Sequence, residues 1–140
     1  MKTYIKFVYE YLKSDSSGYN VGEYLYHVTP KSNMSNIKKN GFKVRDGVAI
    51  NGKPFENRLY FATSLISAYD LSVNFGSFKE NEEYIIFKLK SNCLHEYDED
   101  PLFLHGIYVD YPISNKYIIE IIDADDLWDN FSDEDIENLY

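Results

Sequence analysis

The apolar residues of this chain come in runs too short for anything but single strands or small helices. EYLYHV (23–28), RLYFA (58–62), EEYIIFKLK (82–90), LFLHGIYVDYPI (102–113) and KYIIEII (116–122) are rich in aromatic and β-branched residues. Side chains of that kind pack well on a pleated surface. Polar segments carrying Gly, Pro, Asn or Ser separate the runs, so each strand is expected to end in a turn. Two stretches have helical signals instead. Thr29-Pro30 offers a capping hydroxyl followed by proline, Met34 and Ile37 supply a buried face, and Asn40-Gly41 supplies a stop, which predicts a helix over 31–40. Thr63 similarly predicts a cap for a helix over 64–75, ended by Gly76. Residues 3–13 suit helix and strand equally, 14–22 read as a loop, and 45–57 read as a long polar loop. The order is strand-rich with short helices inserted early, an α+β domain rather than a doubly wound sheet.

A chain of 140 residues fits one domain, 1–140, with its core over 23–122 and an acidic C-terminal segment over 123–140. The net charge of −9 is concentrated at that end. Residues 121–140 hold eight acids and no Lys or Arg, which leaves 15 acids against 14 bases in residues 1–120. A neutral body predicts no passive affinity for a nucleic-acid backbone. The acidic end is expected to be a solvated helix capped by Ser132, or a dock for a basic partner. No window reaches the length of a membrane span, and MKTYIKFVYEYLKSD has charges through its apolar stretch, unlike a signal peptide. Cys93 is the only cysteine, and His27, His95 and His105 are scattered, so neither a disulfide nor a zinc site is expected. The expectation is a cytoplasmic protein with no membrane partner.

Three pieces carry candidate chemistry: Tyr26-His27-Val28-Thr29 at a strand exit, Leu59-Tyr60-Phe61-Ala62 leading through Thr63 to Tyr69, and His105 to Pro112. Taken singly, each also reads as ordinary structure: a hydrogen-bonded histidine, a core strand with an amphipathic helix, and a twisted sheet edge. Their order and spacing resemble the ADP-ribosyltransferase superfamily, in the His-Tyr-Glu branch shared by diphtheria-type toxins and poly(ADP-ribose) polymerases. The resemblance covers residues 23–90 well and 102–122 loosely. It implies a split, mainly antiparallel sheet with NAD+ in the cleft between its halves, and no metal.

The resemblance also assigns roles. His27 would donate to a ribose hydroxyl while staying uncharged, from an exposed position in the cleft. The backbone of His27, Val28 and Thr29 would pair with the nicotinamide carboxamide, with Val28 standing where the family usually has Gly. Tyr60 would stack on the nicotinamide ring, with Tyr69 as a second wall. Arg45 and Arg58, the only arginines, flank the loop beside these motifs and suit a pyrophosphate. The family places an acid on the strand before the last one, and LHGIYVDYPISNKYIIEI (104–121) has no Glu there. Strand alternation puts Tyr108 and Asp110 on one face, which makes Asp110 the first choice for that role and Tyr108 the second. The implied activity is transfer of ADP-ribose from NAD+ to a protein, nucleic-acid or small-molecule acceptor, as in a bacterial or phage effector. The rival is a binding or inhibitor protein of the same fold that has lost its acid. A related RNA 2′-phosphotransferase chemistry needs more basic residues than two arginines.

Overall fold

β4 (Tyr84–Lys90) is buried on both faces through Tyr84, Ile85, Ile86 and Phe87, and the sheet is built outward from it. The computed structural model describes residues 21–48, 52–78, 82–100, 103 and 105–138. The segment 3–13 and most of the loop after it lie outside the described residues. β1 (Tyr24–Pro30), β2 (Arg45–Val48), β3 (Pro54–Ala62), β5 (Asp98–Glu99), β6 (Gly106–Val109) and β7 (Ile118–Asp123) complete a seven-stranded sheet in the order β5-β6-β3-β1-β4-β7, with β2 on β3. Every pairing is antiparallel. The helices are α1 (Met34–Asn40), α2 (Leu65–Phe78) and α3 (Asp133–Glu137). The domain is therefore α+β, with a mainly antiparallel sheet and a few short helices. No helix among the described residues is long and apolar enough to cross a membrane.

Alternation along the strands divides the interior into two cores. Leu25, Leu59, Phe61, Phe87, Leu89, Ile107 and Val109 point to one face, where Ile37 of α1, Phe42 and Ile113 cover them. Ala62, Tyr84 and Ile86 point to the other, under Ala68 and Tyr69 of α2. Burying one large apolar side chain contributes roughly 1.5–3 kcal/mol, so these faces fix the register of every strand that crosses both.

Several boundaries differ from the sequence reading, and at Thr63 and in the 45–57 stretch a cross-strand partner outcompetes the local signal. β1 runs on through Pro30, and a 3-10 turn over Lys31–Asn33 precedes α1. Thr29 does not cap that helix; its buried hydroxyl accepts from Asn33 Nδ2 at 3.0 Å. Thr63 sends its N–H and its hydroxyl to the carbonyl of His105, and Ser64 caps α2 by accepting from Ser67 N–H. α2 continues past Gly76 to Phe78. The polar stretch 45–57 is a hairpin rather than a loop: β2 pairs with the first half of β3, and Asn57, at φ 52°, donates its N–H to Asp46 across the kink. Ser132 does cap α3, in a reciprocal box with Asp135. The acidic segment is more than a solvated tail. Its carboxylates are mostly exposed, yet Ala124 and Leu127 are buried and Phe131 and Ile136 pack on the second core.

Gly41 ends α1 at φ 79°, donating to Ile37, and the next residue bridges to Ile113. A Cβ at Gly41 would lie 2.7 Å from the Ile113 carbonyl oxygen. Gly41→Ala is expected to lower stability by about 1–3 kcal/mol in urea unfolding, through the left-handed φ and this contact together. Unchanged stability would mean that α1 can release its hold on the 113–115 segment.

Candidate functional site

β1 and β3 are neighbours in the sheet, yet their ladder registers at a single pair, Tyr26 with Ala62. β1 is paired to β4 along its whole length on the other side. Lys31 N–H donates to Glu83 O, and Ser91 N–H donates to Glu23 O. Antiparallel hydrogen bonding alternates along a strand, so these two bonds turn the odd-numbered main-chain groups of β1 toward β4 and the even-numbered ones toward β3. The N–H and C=O of Val28 consequently face β3 just past the last registered pair. They lie beside the one place where β1 and β3 register.

His27 precedes Val28 and reaches across to β3. Its Nδ1 lies 2.8 Å from the carbonyl oxygen of Tyr60. A carbonyl oxygen only accepts, so Nδ1 carries the proton and donates. The ring packs edge-on against Phe42 and Phe61, with centroids at 5.1 and 5.6 Å. His27 is 8% exposed, not the open cleft residue expected, because strand alternation points it into the first core. Burial pushes its pKa down to about 4, the bond to Tyr60 O opposes that shift, and the Arg45 charge adds to it. The imidazole is therefore neutral at pH 7, with Nε2 holding the lone pair. Nε2 is thus the acceptor atom of this imidazole.

On this side the structure forms a cleft of about 310 Å³ lined by His27, Asn33, Asn36, Gly41, Arg45 and Leu59, among others. That is near the small end for ligand sites. Asn33 and Asn36 were not singled out from sequence. Their spacing of three, directly after the histidine strand, is the signal that could have found them, since it puts both amides on one side of a helical turn.

The ring of Tyr60 projects to the opposite face, with Ala62. Tyr108 of β6 is its direct cross-strand partner, with the two rings 5.5 Å apart. Arg58 Nη1 donates to the Tyr60 hydroxyl at 3.0 Å, and the guanidinium lies 4.2 Å from the Tyr108 ring centroid. Phe55 closes the group edge-on to Tyr60 at 5.2 Å. Burial pushes both phenols up, with Arg58 opposing, so Tyr60 and Tyr108 stay protonated at neutral pH.

The fold thus brings together His27 with the main chain of Tyr60, His27 with Arg45 along the cleft, and Arg58 with Tyr60 and Tyr108. Tyr69 is separate from these groups: it is buried in α2 and its ring packs on Phe131 at 5.6 Å. Asp110 is exposed just past β6 and reaches the group only as a charge that raises the Tyr108 phenol. Among the described residues no three His, Cys, Asp or Glu side chains are grouped to hold a metal ion. In comparisons with known proteins, no family model matches this chain and no curated protein matches it significantly in sequence.

The buried neutral imidazole has a measurable consequence for stability. Between the ordinary histidine value of about 6.5 and the folded value of about 4, the unfolded chain binds a proton that the folded protein does not. The contribution of His27 is therefore fully present above pH 6.5 and is lost as the pH falls through 4. Wild type should lose about 3 kcal/mol more than His27→Gln between pH 7 and pH 4 in urea unfolding. Equal losses in the two proteins would contradict a buried, neutral His27.

Proposed function

We propose that this protein is an ADP-ribosyltransferase of the His-Tyr-Glu type that binds NAD+ across the gap between β1 and β3. The observation that carries the reading is the Val28 edge. One N–H donor and one C=O acceptor stand side by side directly after a neutral, oriented histidine, and a primary carboxamide has the complementary pair. The Val28 side chain packs with the second core, on the Tyr60 side, so the carboxamide meets the main-chain edge beside it. NAD+ lying through the gap puts its nicotinamide on the side of Tyr60 and its adenylate half in the cleft beside His27, Asn33 and Arg45. A ribose hydroxyl donates to His27 Nε2, and Arg45 faces the pyrophosphate.

The chemistry follows from that placement. The bond from ribose C1′ to the nicotinamide nitrogen breaks, and nicotinamide leaves with the electron pair, which neutralises its pyridinium. The oxocarbenium-like ribose is then attacked at C1′ by an acceptor nucleophile, which loses a proton. Positioning accounts for most of the acceleration. The role of the missing glutamate falls to β6, where Tyr108 faces Tyr60 and Asp110 stands at the strand end. The acceptor is a macromolecule or a small molecule, with a protein favoured over nucleic acid by the charge balance. One observation favours a second reading, a binding protein of this fold without turnover: the residue opposite Tyr60 is a protonated tyrosine, not a carboxylate.

Calorimetry with NAD+ and an assay of nicotinamide release test both readings. Binding is expected with a Kd of roughly micromolar to millimolar, and Tyr60→Ala should weaken it by about 1–2 kcal/mol through lost stacking. Binding without nicotinamide release selects the second reading. No binding, or unchanged affinity in folded Tyr60→Ala, removes both.

A further inference from the structure

Arg45 and Arg58 are cross-strand partners of β2 and β3. The fold handles them differently. Arg45 is exposed along the cleft on the His27 side. The guanidinium of Arg58 is turned onto the aromatic group: its face lies over Tyr108 at 4.2 Å, Phe55 is 5.9 Å from it, and Nη1 donates to the Tyr60 hydroxyl at 3.0 Å. A planar cation can stack on a ring and donate from its edge at the same time, which a lysine cannot. Burial and these contacts together leave Arg58 half-exposed, as are Tyr60 and Tyr108.

We propose that Arg58 is a positioning residue that holds the Tyr60 ring in place for the nicotinamide, rather than a ligand of the pyrophosphate. The proposal rests on the NAD+ reading above. Tyr60 is held at both ends. Its carbonyl accepts from His27 and its hydroxyl accepts from Arg58, so the ring has little freedom between them. Tyr108 and Phe55 pack against the same ring, at 5.5 and 5.2 Å between centroids. A ring fixed in advance needs no ordering when a flat heterocycle stacks on it, which strengthens binding of the heterocycle alone. The phenol group is protonated throughout the working range, and the Tyr60 bond is the largest influence holding Arg58 in its charged form.

The two roles predict opposite results with the two halves of NAD+. Nicotinamide has no phosphate and ADP-ribose has no nicotinamide, so binding of each is measured separately, with kcat and KM for nicotinamide release. Arg58→Ala is expected to weaken nicotinamide about tenfold and ADP-ribose less than about twofold. Tyr60→Phe, which removes only the hydroxyl, should act alike, and the double variant should be no worse than either single one. Arg58→Lys should recover part of the loss, because an ammonium can still donate to the hydroxyl. It also keeps the test usable if Arg58→Ala does not fold. Loss confined to ADP-ribose would make Arg58 a phosphate ligand and overturn the proposal while leaving the NAD+ reading intact. A wild type that binds neither compound would remove the NAD+ reading and the proposal with it.

Discussion

One side-chain hydrogen bond ties β1 to β3 beside their registered pair. The strands register at Tyr26 and Ala62, and the His27 imidazole donates to the Tyr60 carbonyl close by. An unsatisfied buried carbonyl costs about 1–3 kcal/mol, and this bond removes that penalty. Phe42 and Phe61 hold the ring edge-on, which fixes both its orientation and its neutral state.

The rest of the fold holds the two strands from outside. β4 pairs with the far edge of β1 over seven residue pairs, and β6 with the far edge of β3 over four, against the single registered pair between β1 and β3. Each face has its own core, so neither half can slip in register without exposing an apolar set. Two chemically different groups flank this part of the sheet. One has a neutral imidazole, two amides and Arg45; the other has Phe55, Tyr60 and Tyr108 under a guanidinium. In the NAD+ reading proposed above, the adenylate half lies with the first and the nicotinamide with the second.

Much of this was legible in the sequence where the signal is local. β1, β3, β4 and β7 follow from short runs of aromatic and β-branched residues, and Gly41 follows from the need for a positive φ after α1. The hairpin of β2 was not legible, because its residues are polar and only β3 makes them a strand. The caps of α1 and α2 were misread for a related reason: Thr29 and Thr63 look like local caps, but Asn33 and His105 claim their hydroxyls. Acidic residues hid the packing of Leu127 and Phe131. As for the candidate site, His27 and Tyr60 were marked by order and spacing, while the burial of His27 depends on Phe42, which is distant in the chain. The engagement of Arg58 depends on Tyr108, fifty residues on.

We propose that the main-chain edge of Val28 is open to an amide. Nuclear magnetic resonance of the uniformly ¹⁵N-labelled protein addresses that residue directly, by amide hydrogen exchange with and without saturating nicotinamide. The account predicts that the Val28 N–H exchanges faster than those of Leu25 and His27, which face β4, in the free protein. On adding nicotinamide it should become protected and shift downfield as it donates to the carboxamide oxygen. A Val28 amide already protected in the free protein, or one indifferent to nicotinamide, would contradict the account.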